Sequence, residues 1–213
     1  MAASKKAINA AGFPTITLAE NTTLYRLFGP GPINSAPRNG WFFSSTSEAK
    51  PGRFDLPLPN GTCYFSTEKY GAFFEKFRNN EVITRAEVDS LMMLTAVRTA
   101  PLEIADMTSK NAHRFGISLD TYSGDDYSQT QAWALALFQK KLKGVMGLIR
   151  HDGSGHSRNV GLFSKAGPAE SVSGWSTTRE RLTADHELLE ELKKAGIHIQ
   201  DGPYDVDTTT FVE

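Results

Sequence analysis

The chain has 213 residues, a length that favours one elaborated domain over two. Its composition is ordinary for a globular protein, 39% hydrophobic and 22% charged, and a formal net charge of -1 argues against a broad nucleic-acid surface. The single cysteine, Cys63, excludes an internal disulfide framework and a cysteine-rich zinc site. With no signal-peptide pattern and no apolar run of ~20 residues, the chain reads as cytoplasmic with no membrane segment.

Residues 1 to about 20 read as a loosely held lead-in. LYRLF at 24–28 alternates in the manner of a strand. Residues 29–40, GPGPINSAPRNG, are loop by their Gly, Pro and Asn content. GTCYFS at 61–66 is the next strand, with Cys63 a buried structural thiol. Ser66 or Thr67 caps a helix that runs to about Asn79. Thr84 and Glu87 have capping-box spacing at the start of a short helix. MMLTAVRT and LEIADM are two strands broken at Pro101, and SKNAHRFGI is a short helix. The clearest helix spans 126–142, with Tyr127, Gln131, Ala134, Leu135, Phe138 and Leu142 on one face. GVMGLIRH and NVGLFSK are strands joined by a hairpin loop, DGSGHSR. A last helix has Thr183 as cap, Leu188, Leu189 and Leu192 as its apolar stripe, and Gly196 as its stop. Strands dominate the middle without a βαβ rhythm, so the fold class is α+β with largely antiparallel sheets.

The common phosphate-loop patterns and an HExxH pair are absent. Gly153-Ser154-Gly155 lies between two strands, so it is not a serine-hydrolase elbow. His151 and His156 read as a solvated loop rather than a metal site. Three charged residues remain. Arg26, flanked by apolar residues in its strand, is either a snorkelling rim charge or a cation held for an anionic ligand. Arg53, in a loop after Pro51-Gly52, is either an exposed charge or a fork for phosphate oxygens. Glu75 borders a core stripe of Tyr70, Phe73, Phe74 and Phe77, one turn beyond Gly71, whose missing side chain leaves space beside the carboxylate. Periodicity alone makes Glu75 a surface glutamate paired with Lys76 or Arg78; partial desolvation at the stripe would instead raise its pKa.

In order, LYRLF, GRF, CYFSTEKYGAFFEKF, DYSQTQAWALALF, GLIRHD and NVGLFSK resemble the RES-domain family, from about residue 22 to 167. Its members are toxins of RES–Xre type toxin–antitoxin pairs, named for recurring Arg, Glu and Ser, with a fold similar to that of mono-ADP-ribosyltransferases. The resemblance implies a central cleft with flanking helices, and a catalytic domain over 21–213 in which 168–213 is a C-terminal helical extension. It implies an NAD-degrading enzyme that cleaves the nicotinamide–ribose bond, with water or phosphate as acceptor. Alternatives are a mono-ADP-ribosyltransferase acting on a protein or nucleic acid, or a weakened nucleotide-binding module. It implies Arg26 and Glu75 as catalytic residues, with Arg26, Arg53 and Tyr64 binding NAD. The family serine falls at Ile149, just before Arg150-His151-Asp152, which leaves Ser157 and Ser164 as candidates. The expected partners are NAD and an antitoxin of the Xre type, with no metal, membrane or direct nucleic-acid binding.

Overall fold

The computed structural model describes residues 8–29, 39–77, 82–124, 126–149 and 155–201. The runs 30–38, 78–81 and 150–154 lie outside the described residues, so most of the Gly/Pro-rich loop, the expected helix end at Asn79 and the Arg150-His151-Asp152 segment do too.

β-branched and aromatic runs form the strands. In chain order these are β1 (Thr15–Leu18), β2 (Thr23–Phe28), β3 (Phe42–Phe43), β4 (Asn60–Ser66), β5 (Val82–Thr84), β6 (Met92–Arg98), β7 (Leu102–Asp106), β8 (Gly144–Leu148), β9 (Arg158–Lys165), β10 (Gly167–Pro168), β11 (Trp175–Arg181) and β12 (His198–Gln200). Eight of them make one sheet in the order β1-β7-β8-β9-β4-β2-β6-β11. Only the β7–β8 pairing in it is parallel. The helices are α1 (Lys69–Phe77), α2 (Arg85–Asp89), α3 (Asp120–Ser123), α4 (Ser128–Gln139) and α5 (His186–Lys194), with a 3-10 turn at Lys110–Phe115. The fold is thus α+β, an antiparallel-dominated sheet with flanking helices. Among the described residues no helix is long and apolar enough to cross a membrane.

Three apolar clusters hold the layers together. On one face of the sheet, α4 covers Phe54, Ala105 and Val145 with Trp133, Ala134 and Leu137. A second cluster joins Leu24, Trp41, Cys63, Phe65 and Leu94. The third packs Phe73 and Phe77 of α1 against Leu27, Met93, Leu188 and Leu192. Cys63 is fully buried, and burial pushes its pKa up.

The elements depart from the sequence expectation at several places. The lead-in is not loose from Ile8 onward: Ala10 and Phe13 are buried, and β1 pairs with β7. The buried face of α4 is Thr130, Trp133, Ala134 and Leu137, not the expected one. Both sets obey helical spacing because this helix is apolar nearly all round, so Leu135 and Phe138 end at the margin. In α5 the cap is Asp185, whose side chain accepts from the Leu188 N–H; Thr183 is taken up in the 3-10 turn before it. Residues 168–213, expected as a helical extension, also supply β11 to the main sheet through seven residue pairs with β6. Asp185 further accepts from Lys69 Nζ, tying α5 to the first turn of α1. The capping box of α2 forms with Thr84 and Glu87, and Gly196 ends α5 at φ +83°.

The aromatic stripe of α1 is narrower than its sequence suggests. Phe73 and Phe77 are buried, whereas Tyr70 and Phe74 are half-buried and meet edge-on at 4.6 Å. Phe73→Ala therefore costs ~3–5 kcal/mol of stability, and Phe74→Ala clearly less. Urea unfolding of the two variants measures the difference, and equal losses would contradict this packing.

Candidate functional site

The site is built around an incomplete strand pairing. β4 and β9 share seven residue pairs, but β2 and β4 share one, Tyr25 with Ser66. Beyond it the two strands do not pair, and backbone groups along the seam must find other partners. Arg26, the next residue of β2, supplies one: its Nη1 donates to the Tyr64 carbonyl at 2.8 Å. Its Nε is buried and has no partner among the described residues. A guanidinium replaces a ladder hydrogen bond, and a half-buried cation is fixed in the seam.

Tyr64 is held at its other end as well. Its hydroxyl donates to Asp55 Oδ1 at 2.7 Å and accepts from the Phe54 N–H at 2.8 Å. Gly52 lies against the ring, where a Cβ would stand 2.6 Å from the hydroxyl oxygen. Burial pushes the Tyr64 phenol well up, helped by the charge and hydrogen bond of Asp55 and, less strongly, by the charge of Glu75. Asp55 is itself fully buried, and burial raises its pKa against the hydrogen bonds from Gly52 and Tyr64. The Arg26 charge also acts on Asp55, so cation, phenol and carboxylate form one electrostatic unit.

Arg53 hangs from the same loop. Its Nη1 donates to the Thr121 carbonyl at 3.1 Å and to the Gly124 carbonyl at 3.4 Å, and its guanidinium lies 4.5 Å over the Tyr127 ring. Gln131 in α4 donates through Nε2 to the Gly52 carbonyl at 3.0 Å, which anchors the loop from the helix side. Tyr122 hydrogen-bonds to the Met107 carbonyl; burial raises its phenol, while the charges of Arg53 and Arg158 oppose the rise.

α1 closes the site from above. Ser66 Oγ accepts from the Glu68 N–H just before the helix, while Thr67 bonds to Arg158 of β9 through both its backbone and its hydroxyl. Gly71 then lets the helix down onto the sheet. A Cβ there would lie 2.2 Å from Ser66 Oγ, 2.7 Å from Ser157 Cβ and 2.8 Å from Ile149 Cδ1. The glycine does not leave open space beside Glu75; it admits close packing. Glu75, one turn on, is solvent-exposed, yet its charge reaches the Tyr64 phenol.

The two candidate serines are placed differently. Ser157 is 3% exposed and touches the same glycine as Ile149. The antiparallel register pairs Leu148 with Arg158, which sets Ile149 opposite Ser157 across the hairpin. Ser164 pairs with Gly61 at the far end of β4 and is exposed. Three residues beyond Gly161, the strand partner of Tyr64, it faces the other side of the sheet. The structure thus brings Arg26, Tyr64, Arg53, Glu75 and Ser157 around one region and leaves Ser164 outside it. Asp55, Gln131 and Tyr127 do not stand out in the sequence. For Asp55 there was one signal, a carboxylate interrupting the apolar run from Phe54 to Leu58.

Among the described residues no group of three or more His, Cys, Asp or Glu could hold a metal ion. No curated protein matches the chain. Among solved structures, the chain is similar to one described as the crystal structure of the M. tuberculosis MbcT-MbcA toxin-antitoxin complex. The two are 19% identical, the match covers 81% of this chain and 91% of that one, and the TM-score is 0.56. At that identity the likeness is one of fold. The family model of the RES domain matches residues 23–185, from the start of β2 to the cap of α5, and the chain belongs to the RES-domain family.

Proposed function

We propose that this protein is the toxin of a bacterial toxin–antitoxin pair and degrades NAD by cleaving its nicotinamide–ribose bond, with water or phosphate as acceptor. The observation that carries the reading is the unit in the β2–β4 seam: Arg26 on the Tyr64 carbonyl, Tyr64 tied to the Arg53 loop, and Glu75 acting on the Tyr64 phenol. These are the residues that NAD cleavage asks for. Departure of nicotinamide leaves a ribosyl cation similar to that of glycoside hydrolysis. A carboxylate beside the ribose stabilises that charge or orients the acceptor, which is the role of Glu75. Arg26 and Arg53 hold the diphosphate by charge-assisted hydrogen bonds. Tyr64 shapes the nicotinamide pocket with its ring. The leaving group departs as neutral nicotinamide from a cationic precursor, so no strong general acid is needed.

Ser157 takes the place of the family serine. It lies opposite Ile149 across the hairpin and, like it, packs on Gly71. The antitoxin follows from likeness: the similar solved toxin is described in complex with its antitoxin, MbcA. The expected partner here is a protein antitoxin of the Xre type.

The purified protein is expected to consume NAD and to release nicotinamide together with ADP-ribose, or its phosphate ester when phosphate is present. Product identification with and without phosphate separates these routes. Stable label from NAD on a macromolecule would mark an ADP-ribosyltransferase, and thermal stabilisation by NAD without turnover would mark a binding module. Glu75→Ala should lower the rate by ~10²–10⁴-fold; a variant as fast as the parent removes Glu75 from the mechanism. Ser157→Ala should slow turnover while Ser164→Ala should not, and the reverse pattern would show the serine assignment to be wrong.

A further inference from the structure

We propose that Asp55 is the positioning residue of this site, a buried carboxylate that locks the Tyr64 ring and the Gly52–Arg53 loop into one rigid substrate-binding geometry. The inference rests on the reading of Tyr64 and Arg53 as NAD contacts.

Both oxygens of Asp55 are used. Oδ1 accepts from the Tyr64 hydroxyl at 2.7 Å and Oδ2 from the Gly52 N–H at 2.6 Å. The Asp55 N–H returns to the Gly52 carbonyl at 3.3 Å, so the turn that carries Arg53 is closed on itself. The Gly52 carbonyl also accepts from Gln131, and the Tyr64 hydroxyl from the Phe54 N–H. The loop cannot move without moving the phenol, and the phenol sits at the end of the strand residue whose carbonyl holds Arg26. One side chain therefore fixes the relative placement of Arg26, Tyr64 and Arg53.

A carboxylate is a costly way to fill a fully buried position. An apolar residue of the same size would fill the volume but would leave two part-buried donors unpaired. Asparagine offers one acceptor oxygen where two donors converge. Only aspartate satisfies both the strand residue and the loop from one point. Glu48 and Arg26 are the charged groups whose fields reach it, with opposite sign, and the Arg26 cation compensates part of its burial.

The test separates positioning from mere folding. Asp55→Asn should stay folded and raise KM for NAD ~10–100-fold, the range that losing an outer hydrogen-bond partner costs at metal sites, while kcat changes far less, because ground-state binding is what is lost. A structural role alone would lower Tm and leave the KM of the folded enzyme at its parent value, and that result overturns the proposal. In a Tyr64→Phe background, Asp55→Asn should raise KM by less than it does alone, since the bond the two share is already gone and only the Gly52 bond remains to be lost; fully additive effects also overturn it. Should Asp55→Asn fail to fold, Gly52→Ala drives a Cβ to within 2.6 Å of the Tyr64 hydroxyl oxygen and displaces the ring without touching the carboxylate. The same rise in KM is then expected, and a parental KM contradicts the idea. If the parent protein does not turn over NAD, the proposed function falls, but the 13Cζ resonance of Tyr64 still decides the role of Asp55. It should move in Asp55→Asn, and an unmoved resonance rejects the lock.

Discussion

Everything at the site follows from the joint between β2 and β4. Strands want full pairing, because each unpaired backbone group inside a protein costs about as much as a lost hydrogen bond. Here the two halves of the sheet meet at one residue pair and then part. Past that pair the Tyr64 carbonyl of β4 is met by a side-chain cation rather than by a strand. Arg26 satisfies the Tyr64 carbonyl and in doing so fixes a positive charge between the halves. A fixed cation is the kind of group that holds an anionic ligand by charge-assisted hydrogen bonds. Under the proposed function, the same break that weakens the sheet is where the diphosphate of NAD would be held.

The compensation for this weak joint comes from both flanks. α1 lies over the seam and packs Phe73 and Phe77 into a cluster that includes Leu27 of β2, Met93 of β6 and the leucines of α5. The C-terminal region is therefore part of what keeps the β2 half in place: β11 extends the sheet beyond β6, and Asp185 ties α5 to Lys69. On the other flank, α4 anchors the Gly52 carbonyl through Gln131 and presents Tyr127 to Arg53. Neither flank supplies the carboxylate at the centre. Asp55 does, from the loop between them.

Local chemistry was legible in the sequence; spatial closure was not. β2, β4, β6, β7, β8 and β9 fall where alternating or β-branched runs placed them, and the Thr84–Glu87 capping box forms as its spacing requires. The face of α4 was not legible, because two overlapping sets of apolar residues fit one helical period equally well and only the sheet beneath selects between them. Asp55 was not legible for a related reason. Its burial depends on Tyr64, nine residues later, turning its hydroxyl back toward the loop, and no window of local sequence encodes that. Gly71 was misread for want of its neighbours: a glycine beside a carboxylate looks like open space until Ser66, Ser157 and Ile149 are found pressed against it.

The serine is the sharpest case of sequence distance misleading. Along the chain, Ser157 is eight residues from Ile149, far enough to look like a different feature. In an antiparallel hairpin such a distance can vanish. Residues whose numbers sum to the register constant stand opposite one another, and Leu148 with Arg158 sets that constant so that Ile149 faces Ser157. Both then touch Gly71, so the helix that carries Glu75 rests on the pair. Ile149 and Ser157 thus meet the same glycine from the two sides of the hairpin, which is why the proposed function gives Ser157 the role of the family serine.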